Sequence, residues 1–145
     1  MPTSRAMKRL QKELTDNALD IAKDAGVTLD FSHQSINHVE RMLGECHREF
    51  KRTKDEEGLH GIALSFSAYI VTVIERHFEP GTWKKHDPDW GKHSFPYHWR
   101  DGTTFIYGWC LKRILDGPGD NVWSKYQAIV LSQQSRKASK GPTKR

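Results

Sequence analysis

The apolar positions of this chain change period as one reads along it, from helical spacing to alternation and back. Over residues 4–25, Met7, Leu10, Leu14, Ala18, Ile21 and Ala25 recur at steps of three and four, which predicts an amphipathic helix stopped by Gly26. The link that follows alternates Val27, Leu29 and Phe31 and is expected to lie against the core. Ser32 or Ser35 offers a cap for a second helix, whose inner stripe is Ile36, Val39, Leu43, Cys46 and Phe50. The polar run KRTKDEE at 51–57 is either a link or a frayed helix end.

A third helix, from Leu59 to Phe78, differs in kind. Ile62, Leu64, Phe66, Tyr69, Ile70, Val71, Val73 and Ile74 surround it on nearly every side, the pattern of a helix enclosed by protein. It also carries small residues at Gly58, Gly61, Ser65, Ala68 and Thr72. Glycine inside a helix costs about 1 kcal/mol relative to alanine, so the stripe predicts a closely approaching backbone. The neighbour is the first helix, the second helix or a second copy of the chain, and Gly61→Leu is expected to disrupt the fold or a dimer. Glu79-Pro80-Gly81 ends the helix.

From Trp83 onward the chain is rich in turns and aromatics. A short strand is expected at 82–85, and SFPYHW-RDG-TTFIYGW reads as a β-hairpin closed by Asp101-Gly102. That turn puts Phe95, Tyr97 and Trp99 on one face with Thr104 and Ile106, and Pro96 predicts an edge position for its strand. A short helix follows at 107–115, then the breaker DGPGDN, then a last helix over 122–134 capped by Asp120 or Asn121. The prediction is one α+β domain over 1–134: N-terminal helices around a buried central helix, a small antiparallel hairpin or sheet, then C-terminal helices. Residues 135–145 have the composition of a disordered basic tail.

Composition narrows the class. With 145 residues, 36% of them hydrophobic, the chain is long enough to bury about two-thirds of its unfolded surface. No apolar run reaches the roughly 18 residues of a membrane span, and MPTSRAMKRLQKEL lacks the apolar core of a signal peptide, so a cytoplasmic protein is expected. Cys46 and Cys110 fall on apolar helix faces, outside any CxxC pair, as free thiols do. The net charge of +5 comes from the ends: residues 1–12 and 132–145 hold four and five basic residues and no acid. The remainder, 13–131, has 14 basic against 18 acidic residues, a net of −4. Nucleic-acid binding would therefore rest on the termini rather than on the body, as a weak and non-specific contact.

Candidate chemistry is sparse. There is no P-loop, GxGxxG or nucleophile elbow, so no catalytic residues and no cofactor are assigned, and a non-enzyme is favoured. His86, Asp87, Asp89 and His93 are the densest set of metal-type donors and support a small metal-dependent hydrolase or nuclease as the runner-up, although their spacing matches no metal signature. Glu75-Arg76-His77 reads as a helix C-terminus meeting its dipole, and His33, His38 and His47 as solvated helix histidines. Eleven of fifteen aromatic residues lie between Phe78 and Tyr126, including all five tryptophans. Most should be core. Trp90 is the first choice for exposure, and a contact patch is expected from Trp90, Asp87, Asp89, Tyr97 and Trp99.

Three pieces, LDFSHQSINHVERML at 29–43, SAYIVTVIERHF with Trp83 over 67–83, and FPYHWRDGTTFIYGWCLKRILDGPGDNV at 95–122, resemble a loose group of small bacterial cytoplasmic α+β proteins. The group has no assigned activity, so the resemblance implies a fold and a bacterial or phage origin and transfers no site residues. The leading expectation is a protein-binding or inhibitory role, like an immunity protein or a phage-encoded inhibitor that occludes a toxin or effector.

Overall fold

A computed structural model describes residues 2–133; the predicted tail, 135–145, and residue 134, the predicted end of the last helix, lie outside the described residues. Three long helices come first: α1 (Arg5–Asp24), α2 (Ser35–Thr53) and α3 (Leu59–His77). Three short strands follow, β1 (Thr82–Trp83), β2 (Tyr97–Trp99) and β3 (Gly102–Thr104), and then α4 (Ile106–Asp116) and α5 (Val122–Tyr126). A 3-10 turn at Pro118–Asp120 precedes α5, which continues as a π-helical turn over Gln127–Leu131. The class is α+β. Among the described residues no helix is long and apolar enough to cross a membrane.

Helix α3 is the axis of the fold. It packs on α1 along one side and on α4 along another, while α2 lies against α4 and α5. Phe66, Tyr69, Ile70, Val71, Val73 and Ile74 are fully enclosed, as an all-round apolar helix requires. Ser4 caps α1 by accepting from the Met7 amide at 3.2 Å, and Asn121 caps α5 by accepting from Ser124 at 2.8 Å. Ser32 bonds the Ser35 amide at 3.1 Å in the turn that opens α2.

The small-residue stripe faces α1, but the contact is polar rather than a bare backbone approach. Asn17 donates to Ser65 at 2.8 Å, and Gln11 donates to Thr72 at 3.0 Å and to Glu75 at 3.3 Å. The buried line of α1 is Met7, Gln11, Thr15, Ala18 and Ala22, whereas Ala25 is exposed. Gly61 does not belong to the seam: a side chain built there meets nothing within 4 Å. The expected disruption by Gly61→Leu therefore loses its basis, because the hydroxyl residues one and three turns later make the contact instead.

The sheet order is β1-β2-β3, all antiparallel, with Trp83 opposite Tyr97 and Tyr97 opposite Thr104. Strand β2 is thus central, not an edge. Pro96 is accommodated because it precedes the strand and uses only its carbonyl, which accepts from the Lys84 amide at 3.1 Å. The hairpin turn is also one residue earlier than Asp101-Gly102. Trp99 pairs with Gly102, and Arg100 takes the left-handed conformation at φ 57°. Its guanidinium holds it there, donating to Glu79 at 3.1 Å and lying 4.5 Å from the Trp99 ring centre.

A buried ion pair locks the far side. Arg113 of α4 donates to Glu40 of α2 at 2.7 Å, and the second Glu40 oxygen accepts from the Val122 amide at 2.8 Å, the first residue of α5. Gly44 leaves room for the guanidinium, since a side chain there would come within 2.7 Å of it. Removing either partner would leave a buried charge uncompensated.

Candidate functional site

The 84–95 loop joins β1 to β2 and is tightly built. At its base the Phe95 amide donates to the Lys85 carbonyl at 3.1 Å. Higher up, Asp87 and Gly91 exchange backbone hydrogen bonds of 3.0 and 2.8 Å, with Gly91 at φ +101° making the reversal. Inside this small ring the Asp87 carboxylate accepts from the Asp89 amide at 2.7 Å and the Trp90 amide at 3.0 Å. Such an aspartate turn substitutes side chain for backbone and stiffens a short loop.

The consequence is the position of Trp90. Its indole is 69% exposed and lies 5.2 Å, centre to centre, from the Phe105 ring. Apart from Ile129 at 39%, no other large hydrophobic residue among the described ones is exposed. Lys84, Lys85, His86, Lys92 and His93, on the same loop, are all exposed.

Of the five residues expected to form a patch, the loop therefore gathers Trp90, Asp87 and Asp89. Tyr97 and Trp99 are elsewhere: both are buried, with their polar atoms committed inward. The Tyr97 hydroxyl donates to Glu75 at 3.1 Å and accepts from the Gly81 amide at 3.0 Å, while the Trp99 indole donates to the Glu79 carbonyl at 3.1 Å. Burial first, and the Glu75 carboxylate second, push the Tyr97 hydroxyl pKa far up. The alternation placed these two rings correctly on one face, but that face is covered by protein.

The metal-type donors do not converge. His86 Nδ1 already accepts from the His93 amide at 3.0 Å, the two imidazoles meet edge to face at 5.1 Å, and the Asp87 carboxylate supports the loop. Among the described residues no three His, Cys, Asp or Glu side chains form a group able to hold a metal. Cys46 is half-buried and Cys110 buried, both are free, and burial raises both thiol pKa values. Arg5, Lys8, Arg9 and Lys12 are exposed on α1. The C-terminal basic residues lie outside the described residues.

One cluster had no signal in the sequence. His33, expected as a solvated helix histidine, lies tilted against His77 with ring centres 4.0 Å apart and bonds the Tyr126 hydroxyl at 2.6 Å. His77 Nε2 donates to the Phe31 carbonyl at 2.8 Å, and the Phe31 amide donates to the Tyr69 hydroxyl at 2.9 Å. Burial, then the neighbouring His77, hold the His33 pKa below its ordinary value. These residues come from three distant parts of the chain, so only tertiary packing reveals the group, which ties the entry of α2 to the ends of α3 and α5. Comparison with protein-family models, with curated proteins and with solved structures gave no match.

Proposed function

We propose that the protein is a non-enzymatic binding protein of the cytoplasm, of bacterial or phage origin, that occludes a protein partner through the Trp90 tip of the 84–95 loop. One observation carries this reading: a 69% exposed indole on a loop already fixed by its own aspartate. Exposed large apolar side chains are the informative departures from the normal inside–outside pattern, and tryptophan is enriched among residues that dominate binding energy. Pre-ordering matters because immobilising a mobile side chain on binding costs about 0.5–1.5 kcal/mol. The loop lysines, Lys84, Lys85 and Lys92, suit a partner with an apolar recess rimmed by acidic groups. An inhibitor or immunity-type protein works in this way, by covering a surface rather than by chemistry.

A photo-crosslinking residue at position 90 should capture one discrete partner in cells, whereas the same residue at Asp20, exposed on α1, should not. Calorimetry with that purified partner should then show binding weakened at least about tenfold by Trp90→Ala. Equal capture from both positions, or unchanged affinity in the variant, would reject this surface.

A further inference from the structure

A cleft of about 380 Å³ runs between α1 and α3, within the usual size range of small-ligand pockets. Three cations reach it: Lys8 and Lys12 from α1 and Arg76 from the end of α3. Lys12 pairs with Asp16 at 3.1 Å, which is the cleft's one acid. Lys8 and Arg76 form no ion pair among the described residues. The lining therefore holds a positive excess of two in a chain whose body is acidic overall.

The floor is polar and fixed. Thr72 gives its only hydroxyl hydrogen to the Ala68 carbonyl at 2.9 Å, so its oxygen must accept from Thr15 at 3.1 Å and from Gln11 at 3.0 Å. The side wall is Phe31, whose backbone sits in the left-handed region at φ 64°. That conformation is held from both sides by the Tyr69 hydroxyl and His77, and it places the ring 3.6 Å under the Arg76 guanidinium. Bulky residues adopt this backbone only where the surroundings enforce it, and such positions concentrate at ligand sites.

We propose that this cleft binds a small organic phosphate monoester. Its dianion would match the excess charge of Lys8, Lys12 and Arg76, and its apolar body would lie against Phe31 and Leu19. A bare phosphate lacks the second part and a carboxylate carries half the charge.

The test is a titration of the full chain with phenyl phosphate, inorganic phosphate and benzoate, followed by amide chemical shifts and calorimetry at low salt. Phenyl phosphate should saturate, with shifts centred on residues 8–19, 31, 72 and 76, and should bind more tightly than either control. Arg76→Gln and, separately, Lys8→Gln should each weaken it by about tenfold, the worth of one charge-assisted contact. Lys8 is exposed, so its variant folds even if Arg76→Gln does not. Absence of saturation, equal binding of benzoate, shifts centred elsewhere, or an unaltered Kd in Lys8→Gln would overturn the proposal.

Discussion

Two regions of the molecule depart from the rule that apolar side chains go inside and polar ones outside, and they do so in opposite directions. Between the helices, polar groups are buried: Gln11 and Thr15 at the α1–α3 seam, Glu40 and Arg113 between α2 and α4. On the 84–95 loop an apolar group is exposed, Trp90. The buried set largely finds its partners within the protein, through side-chain hydrogen bonds of 2.7–3.3 Å at the seam and at the ion pair. Its departure is explained by the fold itself. The exposed indole meets the Phe105 ring at a tilt, 5.2 Å away, and is otherwise largely open to solvent, which is the feature the proposed partner contact rests on.

That contrast can be broken most severely from the buried side. Glu40→Ala strands the Arg113 charge and removes the acceptor of the Val122 amide, so chemical denaturation should show a loss of about 3–5 kcal/mol. Trp83→Ala should fall in the same range, about 3–5 kcal/mol, because this indole is fully enclosed beside Phe95. Trp90→Ala should stay within about 0.5 kcal/mol of the parent. Two tryptophans seven positions apart thus separate core from contact.

Asp87→Ala sharpens the comparison on the loop side. It removes the acceptor for two backbone amides and should cost about 1 kcal/mol locally, seen as faster amide exchange at Asp89 and Trp90 with little change in the global unfolding midpoint. If loop order rather than loop composition positions the indole, partner binding weakens with it.

The histidine pair gives a pH limb. The folded-state pKa of His33 lies below the ordinary 6.5, so the unfolded chain takes up more protons in acid. Its contribution is fully present above about pH 6.5 and declines as the pH falls toward the folded value. His33→Gln should flatten the fall in Tm between about pH 7 and about pH 5; an unaltered slope would remove His33 from the account. Gly61→Ala should act in the opposite direction, raising stability by about 0.5–1 kcal/mol in thermal unfolding, because the site is helical and open.

The sequence was most readable where a single period runs for many residues. The helices begin and end within a few residues of expectation, and Trp90 was identifiable from its setting among Asp87, Pro88, Asp89 and Gly91, a segment with the chemistry of turns. Tyr97 and Trp99 show the limit: alternation assigns a common face to two rings but does not say whether a helix covers it. Gln11 and Thr15 show another, since polar residues on an otherwise apolar helix face look like gaps until Thr72 and Glu75 come opposite. His33, His77 and Tyr126 meet only after α2, α3 and α5 have packed.

The central claim is that Trp90 serves binding and not folding, and one variant measured twice tests it. Trp90→Ala should unfold within about 0.5 kcal/mol of the parent in urea and bind the crosslinked partner at least about tenfold more weakly by calorimetry. A variant that loses several kcal/mol of stability, or one that keeps both stability and affinity, would contradict the account.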